Sequence, residues 1–104
     1  MIPDLELRFI LSAANNYRIL AKNSNVIDSL LGLEFPSLDD RCTFAGHNHT
    51  VEQLLEELTK NSVLGQKFAR AVYQRYQGGR QLEGSQRLLG YEKAIYEITH
   101  PNQN

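Results

Sequence analysis

The sequence predicts an all-α fold, a small bundle of four to five short helices with one irregular loop at about residues 36–49. Two observations support this prediction. Apolar residues recur at spacings of three and four along most of the chain, which is typical of helices that bury one face. Glycine, proline and cap residues separate these stretches. With 104 residues, 41% hydrophobic and 22% charged, the chain has the composition of one globular domain. We expect a single helical domain over 1–104, with a frayed tail from about residue 100.

The first helix is predicted over residues 4–22. Pro3 suits a first helical turn, and the acidic Asp4 and Glu6 complement the positive end of the helix dipole. Lys22 suits its negative end. The apolar stripe of this helix consists of Leu7, Ile10, Ala14, Tyr17 and Ala21.

A short second helix is predicted after Ser24 or Asn25, either of which can cap it, and it ends before Pro36. The helical pattern then fails over residues 36–49, where turn-forming residues are frequent. Only the stretch 42–45 is apolar enough to dock on the core, as an extended piece. The segment is therefore predicted to be an irregular loop, and long loops are often functional.

The third helix, from residue 51, has the clearest signal. Thr50 and Gln53 form a capping box, in which each side chain satisfies a backbone amide of the other residue. Apolar residues then follow the helical template in full: Val51, Leu54, Leu55 and Leu58.

Two more helices are predicted towards the carboxyl end. Ser62 caps a helix over residues 63–77, which the Gly78–Gly79 pair ends. Its inward residues are Leu64, Phe68, Ala71, Val72 and Tyr76. Ser85 is predicted to cap a last helix that ends at Pro101, and Gly90 falls on its polar side. The inward residues of that helix are Leu88, Tyr91, Ile95 and Ile98.

The charge distribution is uneven, although the formal net charge is only −1. Residues 23–61 carry seven acidic and two basic side chains, whereas residues 62–94 carry six basic and two acidic ones. If the two segments lie on different faces, the molecule is a dipole suited to steered association with a charged partner. If their helices pack side by side, the charges neutralise one another. The low net charge argues against a uniformly basic surface that coats nucleic acid.

The basic helix from about 63 to 80, with its Gly-Gly corner, is the predicted contact surface. Arg and Tyr are frequent energetic centres of protein interfaces. We therefore expect a non-catalytic protein–protein interaction or adaptor module whose partner is another protein with an acidic surface or a second copy of the chain. The predicted partner-binding residues are Lys67, Arg70, Tyr73, Gln74, Arg75, Gln77, Arg80 and Arg87. The alternative is nucleic-acid binding by the same Arg/Tyr surface, because guanidinium groups bind phosphates and tyrosines stack on bases.

A second alternative is a zinc-binding protein or enzyme built on Cys42, His47 and His49, all of which have side chains that bind zinc. A fourth ligand would have to come from Asp39, Asp40 or His100. The paired Cys-x-x-Cys of zinc ribbons is missing, and a lone cysteine is usually a small buried hydrophobe. The three residues are therefore weak metal candidates.

A Cys-His nucleophilic pair is a weaker prediction, because Asp39 and Asp40 lie close to the thiol in sequence and oppose its ionisation. No catalytic residue and no cofactor is assigned, and we expect a protein that is not an enzyme. The single Cys42 excludes an intramolecular disulfide. The acidic start of the chain does not resemble a secretory signal, and no apolar run reaches the roughly 20 residues that span a bilayer. These features favour a cytoplasmic protein with no membrane partner.

Overall fold

The computed structural model describes residues 1–23, 37–77 and 81–100. Within these ranges the chain forms four helices and one β-hairpin. The helices are α1 (Asp4–Lys22), α2 (Val51–Thr59), α3 (Val63–Arg75) and α4 (Gly84–Thr99). The strands are β1 (Arg41–Phe44) and β2 (His47–Thr50). The mostly helical prediction is confirmed, but the fold is not purely α-helical.

The hairpin corrects the prediction of an irregular loop over residues 36–49. Strands β1 and β2 pair antiparallel, with Cys42 opposite His49 and Phe44 opposite His47. Ala45 and Gly46 connect them, and both have positive φ angles, +52° and +80°. Two such residues form a turn whose twist matches that of the paired strands. The extended piece predicted at 42–45 is confirmed for residues 42–44, which belong to β1.

The core lies between the helices and the inner face of the hairpin. α1 packs along α4, α3 contacts α2, α4 and α1, and the hairpin contacts α2 and α4. Phe44 of β1 meets Phe68 of α3 edge to face, with ring centroids 5.4 Å apart. The largest fully buried side chains are Tyr17, Tyr91, Phe68, Ile10, Leu54, Leu55, Ile95, Val51 and Val72.

Side-chain caps fix the starts of α2 and α3. The backbone N–H of Gln53 donates to Thr50 Oγ1 at 3.1 Å, and the N–H of Thr50 donates to Gln53 Oε1 at 3.0 Å. The predicted capping box is thus confirmed. Ser62 Oγ accepts the N–H of Gly65 at 3.0 Å, as expected of its cap. A Cβ on Gly65 would lie 2.1 Å from the Glu57 carbonyl oxygen, so this glycine permits the close contact of α3 with α2.

The last helix differs from the prediction in two details. α4 begins at Gly84, and the residue before it, Glu83, makes no side-chain cap bond, so the predicted Ser85 cap is not observed. Gly90 is not on an open polar side: a Cβ there would lie 2.0 Å from the Tyr76 ring. The Tyr76 ring in turn packs against Tyr91, with centroids 4.7 Å apart. Gly90 therefore makes room for a tyrosine from α3.

Three predicted features lie outside the described residues: the short second helix after Ser24, the Gly78–Gly79 corner and the tail beyond residue 100. Among the helices that the structure does describe, none combines the length and the apolar character needed to cross a membrane.

Candidate interaction surface and adjoining cavities

The outward face of α3 carries exposed basic and polar side chains. Lys67, Arg70 and Gln74 are exposed, and Val63 at the start of the helix is exposed as well. At about 100° per residue these four positions fall in one sector of the helix, opposite the buried Phe68 and Val72. We call them the α3 ridge. Residues 63–75 contain no acidic residue, so the ridge has one sign of charge.

A cleft lies on each side of the α3 ridge. The first, the N-terminal cleft, has a volume of about 540 Å³ and separates α3 from the first residues of the chain. Its lining includes the apolar Ile2, Leu7 and Leu58 and the charged Arg70 and Asp4. The second, the hairpin cleft, has a volume of about 340 Å³. It is lined by Ala45, His47, His49, Val63, Leu64 and Lys67, none of which is acidic.

The other predicted contact residues differ in their availability. Gln77 is exposed beyond the end of α3, whereas Tyr73 is half-buried and packs against the core. Arg75 Nε lies 3.5 Å from Glu97 Oε1, and both side chains of this pair are substantially exposed. Arg80 lies outside the described residues.

Arg87 lies in a different environment, between α4 and α1. Its guanidinium forms an ion pair with Glu6, whose carboxylate also accepts a hydrogen bond from Tyr91 Oη. The Arg87 and Glu6 side chains are only 14% and 7% exposed, and the guanidinium carbon lies 4.9 Å from the Phe9 ring centroid. Arg87, which the sequence predicts at the partner-binding surface, therefore forms its ion pair inside the fold.

The burial of Glu6 could have been predicted from its position in the helix. It lies four residues before Ile10, and with Ala13 and Tyr17 it continues the buried stripe of α1 at spacings of four, three and four. A charged residue at such a position needs a buried partner. The partner itself could not be identified from the pattern, because Arg87 comes from the opposite end of the chain.

The hairpin brings the three weak metal candidates to one of its faces. Alternate residues of a strand point to the same side, so Cys42, His47 and His49 share the face of Phe44. Cys42 is buried, and burial raises the pKa of its thiol, although the charge of Arg41 lowers it. In the described parts of the chain, no three His, Cys, Asp or Glu side chains are grouped closely enough to hold a metal ion. His100, a candidate fourth ligand, instead contacts Thr99 Oγ1 through Nδ1 at 2.8 Å.

A third cavity, of about 400 Å³, lies between α1 and α4, and the sequence did not predict it. Its walls are mainly apolar, but Glu92 also lines it and is only 2% exposed. Burial raises the pKa of Glu92, and a hydrogen bond from the Asn16 side chain offsets only part of this rise. The signal in the sequence is weak: Glu92 stands between Leu88 and Ile95 at helical spacing, on the edge of the apolar stripe.

No protein-family model, no curated protein and no solved structure matches this chain. Its own geometry offers two kinds of surface. The α3 ridge presents exposed cationic groups next to clefts with apolar walls. The cavity between α1 and α4 presents a buried carboxyl group in apolar surroundings.

Proposed function

We propose that this protein is a non-catalytic interaction module whose α3 ridge binds an acidic surface of a partner protein. The observation that carries the proposal is the combination of exposed, unpaired cations with adjoining apolar clefts. In the described part of the chain, neither Lys67 nor Arg70 takes part in an ion pair. The acidic α2 packs beside α3, but no ion pair between described residues links the two helices, so the ridge keeps its charge.

The two parts of the surface have different roles in such a complex. Lys67 and Arg70 attract carboxylates and raise the rate of encounter, whereas exposed charge pairs add little affinity of their own. Affinity comes mainly from apolar groups that become fully buried at the centre of an interface. The N-terminal cleft can accept such groups, because Ile2, Leu7 and Leu58 line it together with Arg70.

The same surface is less suited to nucleic acid. Binding to a phosphate backbone grows with the number of cations that contact it, and the ridge provides two. Arg75 is paired with Glu97, and Arg87 is buried with Glu6. Tyr73, the nearest tyrosine available for base stacking, is half-buried against the core. These contacts favour a protein partner.

The test compares two double charge reversals in a capture experiment. In Lys67→Glu/Arg70→Glu the ridge becomes acidic, while Lys22→Glu/Lys93→Glu makes the same change in charge at exposed positions on α1 and α4. The tagged full chain is incubated with nuclease-treated lysate, and partners are identified by cross-linking and mass spectrometry. We expect the ridge variant to lose its specific partner by at least tenfold and the control variant to retain it, with unchanged helical circular dichroism in both.

Two outcomes contradict the proposal. Equal loss in both variants would show that only the overall charge matters. Capture that occurs in untreated lysate but is lost after nuclease treatment, together with a gel shift that weakens steeply with salt, would favour the nucleic-acid alternative. Sedimentation velocity of the purified chain distinguishes a second copy from a different partner, because only self-association depends on the concentration of this protein alone.

A further inference from the structure

The cavity between α1 and α4 contains a carboxyl group that has no cationic partner among the described residues. Glu92 is buried there, and its hydrogen-bond partner is the uncharged side chain of Asn16. The remaining lining residues are Ile19, Leu20, Ser85, Leu88 and Leu89. None of them is basic, and among the described residues no ion pair involves Glu92. Burying an ionised carboxylate without a cation is costly, so the site can gain free energy from a cationic ligand.

We propose that this cavity binds a small primary amine with an apolar body. The ammonium group pairs with the Glu92 carboxylate, and the body of the ligand lies against Ile19, Leu20, Leu88 and Leu89. A volume of about 400 Å³ falls within the range of roughly 300–1,000 Å³ that is usual for small-molecule sites. Ile19 is exposed, so the apolar wall extends to the surface, where a ligand can enter.

The chemistry of the lining excludes other ligand classes. An anion would be repelled by Glu92 and would find no basic group among the described residues that line the cavity. A divalent cation needs several oxygen or nitrogen ligands, whereas most of this wall is aliphatic. A neutral apolar molecule could occupy the cavity, but it would leave the carboxylate uncompensated. An alkyl or arylalkyl ammonium ion can pair with the carboxylate through its ammonium group and pack against the apolar walls with its hydrocarbon part.

The test measures binding of n-hexylamine to the full chain by isothermal titration calorimetry at pH 8, with n-hexanol as the uncharged probe of the same shape. Glu92→Gln keeps the size and an acceptor for Asn16 but removes the charge. Glu83→Gln is the matched control, because Glu83 is exposed and makes no cap bond at the start of α4. We expect saturable binding of the amine to the wild type and to Glu83→Gln, at least tenfold weaker binding to Glu92→Gln, and weaker binding of hexanol throughout.

A second variant tests the position of the ligand without changing charge. Ile19→Trp places a larger side chain at the rim of the cavity, and we expect it to weaken amine binding while the circular dichroism stays unchanged. The proposal is overturned if the wild type does not bind hexylamine, if hexanol binds as tightly as hexylamine, or if Glu92→Gln and Glu83→Gln bind equally well. These outcomes are independent of the α3 ridge, which belongs to other elements.

Discussion

Glu6→Gln is the substitution whose effect on stability the structure predicts most directly. The ion pair between Glu6 and Arg87 links the first helix to the last, and both side chains are largely buried. Glutamine has nearly the same shape as glutamate and still accepts a hydrogen bond from Tyr91. The substitution therefore removes the negative charge with little change in packing, and the buried guanidinium of Arg87 loses its anion.

The expected cost follows from this burial. Removing one partner of a buried ion pair typically costs about 3–5 kcal/mol, because an uncompensated charge remains inside. Arg87 has little means of compensation, since its Nε is already buried without a hydrogen-bond partner. Domains of this size have a free energy of unfolding of about 5–15 kcal/mol, so Glu6→Gln should remove a large part of it. Replacing both charges while keeping an acceptor for Tyr91, in Glu6→Gln/Arg87→Met, should bring stability back to within about 2 kcal/mol of the wild type.

Urea unfolding followed by circular dichroism measures these differences. Arg75→Met is the control, because its pair with Glu97 has side chains 54% and 39% exposed. Pairs of this kind contribute about 0–1 kcal/mol. The reasoning is refuted if Glu6→Gln costs no more than Arg75→Met, which would mean that the pair is solvated. It is also refuted if the double variant is less stable than Glu6→Gln, because the charges would then not be coupled.

Three further predictions concern single residues. Ala45→Asn should raise the free energy of unfolding by about 0.5–1 kcal/mol in urea, because Ala45 has a φ of +52°, which asparagine adopts at lower cost than alanine. At an open helix position, Gly→Ala raises the free energy of unfolding by about 1 kcal/mol. Gly90→Ala should instead lower it by about 1–3 kcal/mol in urea, because the new Cβ would meet the Tyr76 ring. A rise would contradict this packing. Glu92→Gln should flatten part of the dependence of stability on pH. Burial raises the pKa of Glu92 above 4.5, so the folded state holds the proton of this carboxyl group more tightly than the unfolded state does. The wild type should therefore lose stability relative to the variant as pH rises from about 4.5 through that raised pKa. A difference in stability that stays constant with pH would refute the raised pKa of Glu92.

Local signals allowed most of the helices to be predicted. The bounds of α1 follow from Pro3, the spacing of its apolar residues and Lys22, all of which act within one or two turns. The start of α2 follows from Thr50 and Gln53, which are neighbours in sequence as well as in space. Such features are visible in the sequence because the residues that cause them are close along the chain.

The hairpin and the buried charges depend on contacts that are distant in sequence or lack a clear pattern. Strand β2 reads His-Asn-His-Thr, which has no apolar alternation, and its turn uses Ala-Gly, not the more common Asn-Gly. Its pairing is favoured by Phe44, which packs on Phe68 of α3. Neither this contact nor the pairing of Glu6 with Arg87 can be derived from the periodicity of one element.

These contacts reduce the number of basic side chains that are available to a partner. A count of charges treats every basic side chain as available, yet Arg75 has an acidic partner on α4 and Arg87 has one on α1. Of the basic residues described in α3, Lys67 and Arg70 remain without such a partner, and both line clefts. The affinity of a partner that is attracted by the positive charge of this face should therefore depend on Lys67 and Arg70. Substitutions at Arg87 should lower the stability of the fold more than they weaken binding.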